Sequence, residues 1–168
     1  MTASLALRSA RLDDLLARRG SPWTPSQLRD LTSTVAAELY EPLLAELRFR
    51  SPDRWWTRLR LTDEVELWLL SWLPGQGTVP HDHGGAAGAF TVMLGNLAET
   101  YRYPSGPINN QLRGTGSSIG FDPWRAHIVQ NLGPDRAASV HAYSPPLVPM
   151  REYTSLRDIP PDLVPMEP

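Results

Sequence analysis

Cysteine is absent from this chain and so is lysine; all 16 basic residues are arginine. Without cysteine there is no disulfide, no thiolate metal site and no cysteine nucleophile. The arginines are scattered rather than clustered and the formal net charge is −2. No nucleic acid and no membrane is therefore expected as a partner. Long apolar runs are also missing. The longest, around "LWLLSWLP", is too short to span a bilayer. "MTASLALRSARLDDLL" reaches charged residues before a secretory apolar core can form. The expected localisation is cytoplasmic. Histidine is scarce as well: there are four, and two of them, His81 and His83, fall within three positions.

What is present fits a single domain. The chain has 168 residues, of which 41% are apolar, enough for one real core. Residues 1–50 read as helical. Leu5, Leu12, Leu15 and Leu16 lie at helical spacings, and "SPWTPSQLRDLTSTVAAEL" offers Thr24 as N-cap with Pro25 in the first turn. Leu28, Leu31, Val35 and Leu39 then repeat by three and four, giving one apolar stripe. Pro42 is expected to end or bend this helix.

After residue 51 the period changes. "TRLRL", "EVELWLLSW", "AFTVML", "AETYRY", "HIVQN" and "ASVHAYS" are short and rich in β-branched and aromatic residues. Turn-formers such as "PGQG", "LGN", "PSGP" and "RGTGSS" separate them. Many short strands without intervening helices point to an antiparallel sandwich or barrel over residues 51–150. The proline-rich tail, 151–168, reads as irregular.

On a strand, side chains alternate between faces. His81 and His83 in "HDHGGAAGAF" would then share a face, with Asp82 opposite, and the small residues after them leave room for an ion. His127 in "WRAHIVQN" lies on a later strand and can complete a three-histidine face. Three imidazoles suit zinc, iron, copper and nickel alike; a pair of surface histidines near a turn would give the same spacing. In "SVHAYSPP", Ser139, His141 and Tyr143 alternate with Val140 and Ala142, so the three polar groups also share a face. A shared site and a solvent-facing edge strand both fit that pattern. A serine-hydrolase triad does not, because there is no G-x-S-x-G elbow and no evident carboxylate to orient the histidine.

Taken together, "WLPGQGTVPHDHGGAAGAFTVMLGNLAETYRY" and "AHIVQNLGPDRAASVHAYSPPL" resemble the cysteine dioxygenases, thiol dioxygenases of the cupin superfamily. The resemblance runs from about Trp55 to Leu147. It rests on H-D-H, G-N-L-x-E-T, H-x-V-x-N and S-x-H-x-Y-S-P-P occurring in order. It implies a mainly β fold: a cupin-type antiparallel β-barrel (double-stranded β-helix, or jelly roll) with N-terminal α-helices. It further implies Fe(II) held by His81, His83 and His127, and a Ser139–His141–Tyr143 relay with the tyrosine hydroxyl close to the metal. "WTR" at 56–58 matches an aromatic-x-Arg of the family, which gives Arg58 the substrate carboxylate, with Arg60 as the alternative. Relatives acting on 3-mercaptopropionate often carry glutamine there, so arginine favours L-cysteine, oxidised with O₂ to cysteine sulfinic acid.

The animal enzymes carry a cysteine, cross-linked to the relay tyrosine, where this chain has Gly88. Tyr143 is thus expected to be free of any thioether. Three other readings compete: a 3-mercaptopropionate dioxygenase, a non-enzymatic metal-binding cupin sensor, and a zinc hydrolase or isomerase. The last needs a general base, and neither Asp82, expected to face away, nor Glu99, expected on a turn or sheet exterior, supplies one.

Overall fold

A computed structural model describes residues 10–146 and 149–166. Among these residues three short helices precede the strands: α1 (Ala10–Leu15), α2 (Pro25–Glu38) and α3 (Tyr40–Glu46). Leu5 falls outside the described residues. Helix α2 begins as its sequence dictates. The Thr24 side chain accepts from the Gln27 N–H at 3.3 Å, and the Gln27 side chain accepts from the Thr24 N–H at 2.9 Å, a complete capping box. Pro42 does not end α2 from within. It sits in the first turn of α3, where it has no N–H to donate to the Glu38 carbonyl, and the break falls just before it, at Leu39.

Ten strands form two five-stranded antiparallel sheets. They are β1 (Trp56–Leu61), β2 (Glu66–Trp72), β3 (His81–Asp82), β4 (Ala87–Leu94), β5 (Asn96–Arg102), β6 (Asn109–Gly114), β7 (Ser118–Phe121), β8 (Ala126–Gln130), β9 (Ala137–Ser144) and β10 (Arg151–Glu152). One sheet runs β1-β2-β9-β4-β7 and the other β10-β3-β8-β5-β6. This is the expected cupin double-stranded β-helix with N-terminal helices. No helix among the described residues is long and apolar enough to cross a membrane.

The first sheet is covered on both faces. Leu28, Leu31 and Val35 of α2 pack on Leu67, Leu69, Ala89, Val140 and Ala142. Its other face meets the second sheet through Trp72, Phe90, Val92, Leu97, Phe121, Val129 and Tyr143. Every residue of β9 is buried as a result, and β9 lies between β2 and β4. It is not an edge strand, so Ser139, His141 and Tyr143 point into the space between the sheets. Gly120 marks the closest approach of helix and sheet: a side chain there would overlap the Pro25 carbonyl.

Strands β6 and β7 have little in their sequences to announce them. "NNQLRG" is polar, and part of "SIGF" lies in a stretch that reads as turn. They pair through backbone bonds with β5 and β4, which carry the apolar residues.

Candidate metal centre

His81 pairs with His127 across β3 and β8, and His83 follows two residues after His81. One ring nitrogen from each of the three histidines lies within 4.8 Å of the others, and all three residues are buried. Two rings have one nitrogen already committed. His81 Nδ1 is 2.8 Å from the Val79 carbonyl, and His127 Nδ1 is 2.9 Å from Glu99 Oε1. Both acceptors lack protons, so both Nδ1 atoms carry hydrogen and Nε2 is left as the free lone pair. Both nitrogens of His83 are buried without a hydrogen-bond partner among the described residues. A buried imidazole with no partner is costly unless something else satisfies it, and a cation does so.

Charge agrees with this. Burial, then the neighbouring His127, lowers the His81 pKa to about 3, and burial holds His83 far below the ordinary histidine value. The His81 and His83 rings are thus neutral and ready to act as ligands without losing a proton.

Asp82 faces away, as the alternation requires. It accepts from Arg151 Nε at 2.9 Å, from the Gly84 N–H at 2.7 Å and from the Tyr153 hydroxyl. These bonds tie the histidine-bearing turn to the chain around β10.

Glu99 corrects the sequence expectation. It lies neither on a turn nor on the sheet exterior: it is 1% exposed and points inward from β5. It accepts from His127, from Arg113 Nε at 2.7 Å and from Arg125 Nη1 at 3.0 Å. Burial alone would raise its pKa, but the hydrogen bond from His127 and the charges around it hold the carboxyl at about 2. Glu99 therefore stays ionised behind the metal-facing rings.

Ser139, His141 and Tyr143 do form a chain. Ser139 Oγ is 2.8 Å from His141 Nε2, and His141 Nδ1 is 3.1 Å from the Tyr143 hydroxyl. The Tyr143 ring stacks on His83, with ring centres 4.9 Å apart. His141 stays clear of the three-histidine group and stacks on Phe90. Gly88 lies against this tyrosine. A Cβ there would overlap the Phe121 ring and come within 3.0 Å of Tyr143, so the aromatic ring of Phe121 occupies the space a cross-linking side chain would need.

A cavity of about 480 Å³ opens onto the histidines, lined by His81, His127, His141, Tyr143, Trp72 and Arg54 among others. Arg58 does not line it. Its side chain is 47% exposed, 3.7 Å from Glu66 and stacked over Trp68. Arg60 turns to helix α1 and bonds Asp13 at 3.1 Å. The cavity arginine is Arg54, which precedes β1 and lies 4.2 Å over the Trp72 ring. Its Nε and Nη1 are buried with no hydrogen-bond partner among the described residues.

The reason for the difference is register. Arg58 stands opposite Trp68 on β2, whereas Trp55 meets Ser71, placing Arg54 beside Trp72 at the cavity end of the hairpin. Two unpaired buried donors were the signal for Arg54, and no sequence spacing displays them.

The cysteine dioxygenase type I family matches residues 44–156. The chain belongs to that family. A cysteine dioxygenase type 1 from Danio rerio is 27% identical over 121 residues, covering 64% of this chain and 60% of that protein. The chain thus spans less than two thirds of that relative's length.

Solved structures give the fold alone. A Klebsiella pneumoniae protein with a double-stranded β-helix domain has TM-score 0.53 at 18% identity, covering 66% of this chain and 92% of its own. A cupin superfamily protein from Desulfitobacterium hafniense has TM-score 0.51 at 14% identity, covering 61% and 87%. In this cysteine dioxygenase family member, then, a buried three-histidine metal site sits inside a cupin barrel.

Proposed function

We propose that the chain is an iron-dependent thiol dioxygenase that oxidises L-cysteine to cysteine sulfinic acid. The balance is RSH + O₂ → RSO₂H: the sulfur is oxidised, both oxygen atoms end on it, and no other reductant is needed. The observation that carries the reading is one cavity that joins two of the three clustered histidines, His81 and His127, to a buried tyrosine and an arginine with unpaired donors among the described residues.

Fe(II) on His81, His83 and His127 would supply the positive charge that lowers the thiol pKa and the redox chemistry that engages O₂. The donor set fits it, since three neutral imidazoles leave the ion's full charge for an anionic sulfur. The chain's own residues do the rest. Arg54 offers a planar fork of donors to the substrate carboxylate, a role the sequence resemblance gave to Arg58. Trp72 packs under that guanidinium and limits its swing. Tyr143, held by His141 and Ser139, presents its hydroxyl from the cavity wall.

A carboxylate on Arg54 is compatible with 3-mercaptopropionate too. Cysteine is preferred because its amine can add a second ligand to the metal while the carboxylate reaches the arginine. The test is His83→Ala. Iron content and cysteine-dependent O₂ uptake should be lost together, and uptake that survives loss of the metal would overturn the reading.

A further inference from the structure

The relay on β9 has a fourth member. Trp72 Nε1 lies 2.9 Å from Ser139 Oγ, and both residues are fully buried. An indole N–H can only donate. Ser139 Oγ therefore accepts at that end of the chain. Among the described residues its own hydroxyl hydrogen has one acceptor, His141 Nε2 at 2.8 Å. If Nε2 carried the proton instead, the serine would accept twice and its buried hydroxyl hydrogen would have no partner, which leaves the desolvation cost of that donor uncompensated.

We propose that Trp72, as a donor-only terminus, gives the relay one direction: Trp72 to Ser139, Ser139 to Nε2, His141 Nδ1–H to the Tyr143 oxygen, and the Tyr143 hydroxyl hydrogen into the cavity. The surroundings of His141 support a neutral ring with a single proton to place. It stacks on Phe90 with ring centres 5.1 Å apart, tilts against Trp72, and bonds no carboxylate among the described residues. The Tyr143 oxygen is 3.1 Å from Nδ1, and once it accepts from that nitrogen its own hydrogen is free for a cavity ligand.

The consequence is chemical. In this direction Tyr143 is a donor to whatever negative charge lies in the cavity. In the reverse direction its hydrogen is spent on His141, and it can only accept. Trp72 is thus a positioning residue that acts through Ser139 and His141. The donor role in turnover rests on the thiol dioxygenase reading; the direction of the chain does not.

The test is ¹⁵N NMR of the histidine rings in the full-length protein, loaded with zinc as a diamagnetic ion and repeated without metal. His141 is assigned by the signals lost in His141→Gln. The expected result is one neutral tautomer, protonated at Nδ1. A ring protonated at Nε2, or at both nitrogens, overturns the proposal whatever the enzyme's activity.

Trp72→Phe removes the donor and leaves room for a water beside Ser139, so both tautomers should appear. A single unchanged Nδ1–H tautomer there would remove Trp72 as the cause. Should that variant not fold, Ser139→Ala breaks the same chain one step later with a smaller change in volume. It too should give a mixture, and an unchanged tautomer would count equally against the proposal. Failure of thiol oxidation with the Nδ1–H tautomer intact would sink the dioxygenase reading and leave the relay direction standing.

Discussion

His127 and Glu99 form a buried donor–acceptor pair, Nδ1 to Oε1 at 2.9 Å, and Arg113 and Arg125 close the other side of the same carboxylate. The negative charge that many non-haem iron sites place directly on the metal stands here one residue further out. It fixes the His127 tautomer and raises the basicity of the ring nitrogen that faces the cavity.

Glu99→Gln keeps the shape and removes the charge. Metal affinity should fall about ten- to a hundredfold, the usual cost of losing such a partner. Competition with a chelator measures it, alongside circular dichroism to show that the fold persists. Unchanged affinity would show that Glu99 serves only to neutralise the two arginines.

Arg54 and Arg58 make opposite predictions for substrate binding. A charged hydrogen bond is worth roughly 1.5–3 kcal/mol, so Arg54→Gln should lower kcat/KM for cysteine about ten- to a hundredfold. Cysteamine has no carboxylate and should change little. Arg58→Gln should leave all thiols nearly as they were, because its side chain is half-exposed beside Glu66. The reverse ranking would return the carboxylate to Arg58.

The pH dependence has a definite sign. His81 is held down to about 3 and His141 well below the ordinary 6.5, in both cases chiefly by burial. Below 6.5 the unfolded chain takes up protons that the folded protein refuses. Stability of the metal-free protein should therefore be flat above about pH 7 and fall on acidification, by roughly 1.4 kcal/mol per pH unit for each such histidine. Urea midpoints measured down to about pH 5 test this. A midpoint that holds or rises would mean the rings are protonated in the fold.

Much of the site was legible because period-two patterns survive in its strands. H-x-H put His81 and His83 on one face and Asp82 on the other, and S-x-H-x-Y aligned the relay. What that pattern could not say was which face is inside. Strand β9 has both faces covered, so an edge-strand reading looked equally good until helix α2 was in place over it.

Glu99 was misjudged for a related reason. Glu99 shares a strand face with Leu97, which is fully buried, but a carboxylate has no place on that face without partners. Only Arg113 and Arg125, arriving from β6 and from just before β8, make it tolerable. The place of Arg54 in the cavity was not legible because it depends on where the β1–β2 register puts the end of a hairpin. Trp72 read simply as an apolar strand residue, and its N–H mattered only once Ser139 lay beside it.

The most direct measurement is the fate of ¹⁸O₂ in a reaction of the iron-loaded protein with L-cysteine, with products resolved by mass spectrometry. The account predicts cysteine sulfinic acid carrying both labelled atoms, absent from the His83→Ala control. No sulfinate above that control, or sulfinate with oxygen drawn from water, would contradict it.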